Sequence, residues 1–296
     1  MPDASTLISI ITPAFRAEGT ILRAVRSVLA QTYPHWEMLI VSDDETDYES
    51  FLYECGISDK RLRFLETGKI GSGPNLARNV ALDQAKGSYI APLDADDLYY
   101  SERLEKLLPL ASSYGMSADN IAIIDEIGSK EPRTLVAETD AIRWLTMTMY
   151  AHTCIPMIFL FRRDIITAPW DEDVELGADT LFNLRAMEKL DMVPFVERVM
   201  HEYHVTPNSI CHAANAHDRA ERAYTYCLDK ITHTGMGFRT LRGMRIVEDM
   251  LLTKRDLNGH YAESLANGNC SNFQEFIATK RNLGIDLYTS LAREVG

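Results

Sequence analysis

Apolar and polar positions alternate along the first half of the chain in a pattern that predicts strands and helices in turn. Runs of apolar, β-branched residues are typical of buried strands, and stretches with an apolar stripe at helical spacing separate them. The predicted strands span residues 7–12, 37–42, 61–65 and 88–93, and the predicted helices span residues 20–31, 48–55 and 74–86. This alternation predicts an α/β fold with a mostly parallel central sheet flanked by helices.

The remaining pattern is less regular. A fourth helix is predicted after a Ser101 cap, with Pro109 as a kink or an early end. Further predicted elements are strands at 120–125 and 156–161, helices at 139–149 and 178–190, and two strands at 192–196 and 199–205 that pair with each other. Three more helices are predicted at 216–232, 240–255 and 272–283. We therefore divide the chain into a sheet domain, residues 1–215, and a helical C-terminal extension, residues 216–296.

Four loops follow the predicted parallel strands, at residues 13–19, 43–47, 68–73 and 94–97. Ligands of such sheets bind at the carboxyl ends of the strands. The last loop contains three aspartates, Asp94, Asp96 and Asp97, whose crowding raises their pKa values unless a cation balances them. A divalent metal completed by substrate phosphates would do so. Capping of the next helix is the alternative, and the pattern alone leaves both open.

Composition narrows the classes of function. The formal net charge of −13 argues against nucleic acid as a partner, because phosphate binding needs a basic face. Five scattered cysteines without a CxxC pair are typical of reduced thiols in the cytosol. We find no signal peptide pattern and no apolar run long enough to span a bilayer. We therefore expect a cytoplasmic protein, with at most a peripheral contact at the inner face of the membrane.

Six short motifs resemble, in order and spacing, the start of the family 2 inverting glycosyltransferases. They are Ile-Thr-Pro-Ala-Phe at 11–15, Ser-Val-Leu-Ala-Gln-Thr-Tyr at 27–33, the acidic turn at 43–47, Ala-Arg-Asn at 77–79, Ala-Lys-Gly-Ser-Tyr-Ile at 85–90 and Asp-Ala-Asp-Asp at 94–97. The resemblance is continuous from Leu7 to about Leu108 and thins to a few landmarks up to His212. It implies the nucleotide-sugar-binding GT-A fold, which is Rossmann-like, for residues 1–215.

The resemblance also implies an enzyme that transfers a sugar from a nucleoside-diphosphate sugar, UDP-linked, to an acceptor hydroxyl with inversion. The acceptor would be a saccharide or a lipid-linked saccharide in polysaccharide or glycoconjugate synthesis. A sugar-phosphate nucleotidyltransferase is an alternative, disfavoured because the loop at 13–19 is not the Gly-rich, basic loop of that class. A nucleotide-sugar-binding protein with lost activity is another, prompted by Ser42, Ala178 and Thr206 at positions where the family has other residues.

Donor-site roles are carried over residue by residue. Asp43 would accept a hydrogen bond from the uracil N3–H. Asp96 would ligate Mn²⁺ or Mg²⁺, and Asp94 would reach the ribose or a metal-bound water. The implied nucleotide-sugar-binding residues are Pro13, Phe15, Glu18, Asp43, Arg78, Asp94, Ala95 and Asp96, with Phe15 stacking on the base and Arg78 beside the diphosphate. The family has Asp at position 42 and Gly at position 44, where this chain has Ser42 and Asp44.

The catalytic base is assigned by the same resemblance. Residues 170–182 resemble the segment that ends in an acidic pair before a helix, and only the second acid, Asp179, is retained. Asp179 is therefore the predicted base, with helix capping as its alternative role. Its rivals are Asp171, Asp173 and Glu175.

His204 is the third predicted metal ligand. Relatives have a histidine in a Tyr-x-x-His-x-x-Ser pattern, and here Tyr203 and Ser209 fit while Thr206 replaces the histidine. His204 would substitute for it, although a histidine on a strand edge is an equally simple interpretation.

One further feature concerns partners. Three arginines at helical spacing, Arg239, Arg242 and Arg245, form one basic helix face. This face suits binding to anionic lipid or to a lipid-diphosphate acceptor. The alternative is a solvated helix face beside the acidic domain. The sequence predicts no oligomeric state.

Overall fold

The computed structural model describes residues 5–126, 132–153, 157–205, 216–270 and Phe276. Within these ranges the chain forms a single sheet with α-helices packed against it. The strands are β1 (Ile8–Ala14), β2 (Trp36–Ser42), β3 (Leu62–Glu66), β4 (Tyr89–Pro92), β5 (Leu98–Tyr99), β6 (Met116–Asp125), β7 (Arg133–Thr134), β8 (Ile142–Leu145), β9 (Phe159–Arg162) and β10 (Val193–Val205). The helices are α1 (Ile21–Leu29), α2 (Tyr48–Glu54), α3 (Pro74–Gln84), α4 (Arg103–Tyr114), α5 (Met147–Ala151), α6 (Ala178–Met187), α7 (Ala216–Thr234) and α8 (Leu241–Ala266).

The sheet is parallel where the sequence predicted it. Its order is β3-β2-β1-β4-β9-β6-β10-β5, and the first four strands run parallel to one another. Strand β9 is antiparallel to both of its neighbours, and β6 and β10 are again parallel. The carboxyl ends of β1, β2, β3 and β4 therefore meet at one edge, as expected of the GT-A fold.

Alternating side chains of the central strands feed two hydrophobic cores, one on each face of the sheet. Ile11 and Ile90 belong to one core, whereas Ile10 and Ala91 belong to the other. Helices α3, α5, α6, α7 and α8 contribute to the first core, and helices α1, α2 and α4 to the second. The C-terminal helices thus bury their apolar faces, including Val247, in the same core as the sheet.

Two predictions for the second half were wrong. The segment 139–149 forms a strand, β8, followed by the short helix α5, because pairing with β10 overrides the local helical periodicity. The two strands predicted at 192–196 and 199–205 do not pair with each other. They are one strand, β10, which continues through an irregularity in its register between Val196 and Val199 and pairs with β6.

Helix α4 also differs from its prediction. It runs through Pro109 to Tyr114, and Pro109 lies on the exposed side of the helix. Its N-cap is Glu102 and makes no side-chain cap, so Ser101 does not cap it. The backbone carbonyl of Ser101 instead accepts from the Thr32 N–H at 2.9 Å. The helix predicted at 272–283, apart from Phe276, and the boundary at residue 215 lie outside the described residues.

A buried carboxylate joins the amino ends of the central strands. Glu37 on β2 accepts from the Ser9 hydroxyl on β1 at 2.6 Å, from the Lys86 backbone N–H at 2.6 Å and from Arg63 on β3 at 2.7 Å. Burial alone would raise the pKa of Glu37, but these donors hold it below its ordinary value. The ionised carboxylate therefore stabilises the fold.

We expect Glu37→Gln to lower the free energy of unfolding by about 2 kcal/mol at pH 7, because it weakens hydrogen bonds to a charged group. A group with a lowered folded-state pKa stabilises above its unfolded pKa, so the difference from wild type should shrink as the pH falls below about 4. Urea unfolding at several pH values measures it, with the exposed Glu49→Gln as control. A difference that grows in acid would contradict this assignment.

Candidate functional site

Asp43 closes the glycine-containing loop onto the end of β2. Its Oδ1 accepts from the Thr67 hydroxyl at 2.8 Å and from both the backbone N–H (3.1 Å) and the hydroxyl of Ser72, and its Oδ2 accepts from the Gly73 N–H at 2.8 Å. The residue is only 3% exposed. Four donors nearly fill a carboxylate's capacity, so a base N–H would have to use the remaining lone pair on Oδ2. Reading of uracil by Asp43 stays a prediction.

Asp44 joins the loops after β1 and β2. Its carboxylate accepts from the Ser42 hydroxyl at 3.0 Å, from the Tyr48 hydroxyl at 3.1 Å and from the Arg16 backbone N–H. Burial would raise the pKa of Asp44, but its hydrogen bonds, first of all that from Arg16, hold the pKa below its ordinary value. The Tyr48 oxygen in turn accepts from the Ala17 N–H at 3.0 Å. The sequence signalled none of these contacts beyond the departure from the family motif.

The three remaining residues predicted to lie near the base are found at the carboxyl end of β1 and in the loop that follows it. Phe15 is 45% exposed, with the Arg16 guanidinium 5.0 Å from its ring centroid. Pro13 is half-buried and Glu18 is exposed. An exposed aromatic ring at the carboxyl end of β1 is free to stack on a planar ligand.

Arg78, on α3, brings the predicted donor and acceptor acids together. Its Nη2 lies 2.7 Å from Asp94 Oδ1, and its Nη1 lies 3.2 Å from Asp179 Oδ1. The side chain is 6% exposed. Burial alone would lower the pKa of Arg78, but the charges of Asp179 and Asp94 hold it above its ordinary value. Arg78 is therefore a buried cation between two acids that lie far apart in the sequence.

The aspartate turn 94–97 concentrates negative charge. Burial, together with repulsion from Asp97 and Asp94, raises the pKa of Asp96 to about 7. Burial and Asp94 also raise the pKa of Asp97 well above its usual range. Helix capping was the alternative role for this turn, but the N-cap of α4 is Glu102. Asp97 instead accepts from the His204 backbone N–H at 2.8 Å, because the end of β10 crosses next to the turn.

Arg23, on α1, contacts this turn from the other side, and no motif in the sequence predicted this role. Its Nε donates to the Asp96 backbone carbonyl at 2.9 Å, and its Nη1 pairs with Glu126 just after β6. Glu126 also contacts His204 Nδ1 at 2.8 Å, and His204 Nε2 lies 3.1 Å from Glu202. The available signal in the sequence was a basic residue in the first turn of α1. Its partners could not be predicted, because they lie 73 and 103 residues away in the chain.

Mn²⁺ or Mg²⁺ fits this turn as an ion shared with substrate. Magnesium is typically held by one or two carboxylates plus substrate phosphates. Because burial and the neighbouring acids disfavour the charged form of Asp96, a cation bound at this turn would stabilise it. Among the described residues, no group of three or more His, Cys, Asp or Glu side chains could hold a metal by itself. His204 lies between two carboxylates, so ligation by His204 stays a prediction that requires one of those contacts to break.

Asp179 lies in the first turn of α6. The N-cap is Gly177, so Asp179 is not the cap. Its Oδ1 also accepts from the Trp170 indole N–H at 2.8 Å, yet the side chain remains 50% exposed.

The rivals of Asp179 for the role of base have other partners. Asp171 pairs with Arg185 at 2.8 Å, Asp173 accepts from the Tyr226 hydroxyl at 3.1 Å, and Glu175 pairs with Arg219 and Arg222 at 3.3 Å.

The sheet edge thus combines an exposed aromatic ring, an aspartate turn and a half-exposed carboxylate next to a buried arginine, on a GT-A-like fold. The sequence profile of Glycosyl transferase family 2 matches residues 9–168, more than half of the chain. The chain therefore belongs to Glycosyl transferase family 2.

Individual relatives agree with this family. WfgD of Escherichia coli, named UDP-Glc:alpha-D-GlcNAc-diphosphoundecaprenol beta-1,3-glucosyltransferase, is 43% identical over 99 residues, which are 33% of this chain and 38% of WfgD. The match to TuaG of Bacillus subtilis (strain 168) is 42% identical over 36% of this chain and spans 43% of TuaG. The chain therefore spans less than half the length of these relatives. The succinoglycan biosynthesis protein ExoO of Rhizobium meliloti (strain 1021) is 26% identical over 90% of this chain and 82% of ExoO.

Solved structures show the same fold. The crystal structure of S. aureus TarS 1–349 in complex with UDP-GlcNAc superposes with a TM-score of 0.62 and 18% identity, over 82% of this chain and 71% of the chain in that structure. Separately, the described helices include none with both the length and the apolar character of a membrane span.

Because Arg23 links the aspartate turn to Glu126, we expect Arg23→Ala to lower the free energy of unfolding by about 1–2 kcal/mol. Arg26→Ala, an exposed arginine on the same helix, should change it by less than about 0.5 kcal/mol. Chemical denaturation of both variants beside wild type makes the comparison. Equal effects of the two substitutions would show that the contacts of Arg23 add nothing to stability.

Proposed function

We propose that the protein is an inverting glycosyltransferase that uses a UDP-linked sugar and a divalent metal. The observation that carries the proposal is Arg78, whose ion pairs bring the aspartate turn within reach of the half-exposed Asp179. A donor site and a general base are the two parts that inverting transfer requires. The family membership of the chain supports the same reaction class.

The bond changes follow from this arrangement. The acceptor hydroxyl gives its proton to Asp179 as its oxygen forms a bond to the anomeric carbon. The bond between that carbon and the β-phosphate oxygen breaks, and the electron pair leaves with the nucleoside diphosphate. Asp96 and Asp94 would hold the metal and the ribose, and the bound metal would neutralise charge on the leaving diphosphate. The ion pairs of Arg78 hold Asp94 and Asp179 close to each other.

The donor and acceptor classes rest on the relatives. TarS binds UDP-GlcNAc, and the name of WfgD gives a UDP-glucose donor and a diphosphoundecaprenol-linked acceptor. ExoO is named for the synthesis of a polysaccharide. For this chain we propose a UDP-sugar donor and a saccharide or lipid-linked saccharide acceptor. The exposed Arg242 and Arg245 near the start of α8 would suit the diphosphate of a lipid-linked acceptor.

Asp96→Ala should lower UDP-sugar turnover at least about 100-fold, because it removes the carboxylate that would ligate the metal. The thermal stability of the variant should be equal to or above that of wild type, because burial and the neighbouring acids raise the pKa of Asp96 to about 7 and so make its ionised form unfavourable in the fold. We would measure thermal shift with UDP, UDP-glucose and UDP-N-acetylglucosamine, with and without Mn²⁺, together with release of UDP.

The exposed Asp83→Ala on α3 is the control for this variant and should behave as wild type. Full turnover by Asp96→Ala, or by wild type in excess EDTA, would refute the metal role. Failure of every UDP ligand to stabilise the wild type by mass action would refute the donor class.

Asp179→Asn should lower kcat by about 10²- to 10⁴-fold, the usual contribution of general base catalysis, while UDP affinity stays close to wild type. Asp173→Asn, in the loop that precedes α6, should retain kcat. Initial rates of UDP release and calorimetric UDP titration separate the two quantities. Wild-type turnover by Asp179→Asn would remove it as the base and direct attention to its neighbours.

A further inference from the structure

Trp170 is the second residue that contacts the proposed base. Its indole N–H donates to Asp179 Oδ1 at 2.8 Å. The residue is 2% exposed, and its ring stacks on Phe182 with centroids 3.5 Å apart and planes 8° from parallel. A large aromatic side chain packed in this way has one accessible orientation, so its single polar hydrogen has a fixed direction.

The backbone of Trp170 is fixed as well. The Asn79 side-chain amide on α3 accepts from the Trp170 N–H at 2.8 Å and donates to the Trp170 carbonyl at 2.9 Å. The neighbouring Asn75 amide donates to the carbonyls of Asp171 and Val174 at 3.0 and 2.9 Å. One face of α3 therefore holds the start of the loop that leads to α6. The indole is supported through both its ring and its main chain.

The contacts of Asp179 fall on one of its two oxygens. The indole N–H and Arg78 Nη1 both approach Oδ1, and the side chain is half exposed. A carboxylate anchored through Oδ1 presents Oδ2 in a fixed direction for an incoming hydroxyl. General base catalysis depends on this geometry, because the base must lie within hydrogen-bond reach of the proton.

We propose that Trp170 is a positioning residue that orients Asp179 for proton abstraction. The inference rests on the proposed function, because it takes Asp179 as the base. Arg78 pairs with the same oxygen of Asp179 and also with Asp94, so changing it would affect both acids. The indole N–H of Trp170 donates to Asp179. Loss of that N–H should therefore impair the chemical step and leave donor binding intact.

Trp170→Phe tests this directly, because it removes the N–H and keeps an aromatic ring on Phe182. We expect kcat for UDP release from UDP-glucose or UDP-N-acetylglucosamine to fall about tenfold or more, with UDP affinity within about twofold of wild type. Trp36→Phe is the matched control, since it makes the same substitution at another buried tryptophan, on β2, whose indole N–H has no hydrogen-bond partner among the described residues. It should lower thermal stability and keep kcat.

Equal kcat losses in the two variants would show that only packing matters and would overturn the proposal. So would wild-type kcat in Trp170→Phe.

A second measurement does not depend on Trp170→Phe folding. The chain has three tryptophans, so the Trp170 indole N–H resonance can be assigned in ¹H–¹⁵N spectra with Trp36→Phe and Trp144→Phe. In Asp179→Ala this resonance should move upfield and exchange with solvent about tenfold faster, as expected when a hydrogen bond to a carboxylate is lost. An unchanged resonance would overturn the proposal. A wild type that releases no UDP would instead refute the proposed function, while the resonance still decides whether Trp170 orients Asp179.

Discussion

The buried guanidinium of Arg78 is the interaction on which the rest of the site depends. It lies between Asp94, at the end of the central strand β4, and Asp179, at the start of α6. Removing one member of a buried ion pair leaves an uncompensated charge, which is far more costly than losing an exposed pair. The two acids are therefore held at one distance by a single rigid cation. The ion pairs of Arg78 thus connect the regular α/β half of the chain, which contains Asp94, to the irregular second half, which contains Asp179.

The aspartate turn shows why several cations and donors converge there. Asp94, Asp96 and Asp97 are crowded, and burial together with repulsion from Asp97 and Asp94 raises the pKa of Asp96 to about 7. Each residue has a nearby donor: Arg78 pairs with Asp94, Arg23 donates to the backbone carbonyl of Asp96, and the His204 N–H donates to Asp97. None of these neutralises the Asp96 carboxylate itself. An excess of negative charge at one turn favours binding of a cation, which is the physical basis of the proposed metal site.

Sequence patterns predicted the parallel part of the sheet because each strand there is a short buried run whose neighbours are set by βαβ connections. The convergence of the loops after β1 to β4 followed from that topology. The strands β8 and β10 were not predicted correctly, because β8 exists only by pairing with β10, and such pairing leaves no local signal. Arg23 was missed for the same reason. The roles given to Asp43, Asp96 and Asp179 came from resemblance to a family, and the geometry around them could not have been derived from spacing.

Of the three departures from the family pattern that suggested lost activity, Ser42 and Ala178 have local physical explanations, whereas Thr206 lies outside the described residues. Ser42 donates to Asp44, and Asp44 in turn ties the loop after β1 to the loop after β2. Ala178 is 4% exposed and belongs to the first of the two hydrophobic cores, so an acid there would need a buried partner. Asp179, the next residue, keeps the half-exposed position beside Arg78. The substitutions therefore leave an ordered site with its exposed carboxylate in place, which argues for an adapted enzyme over an inactive binding protein.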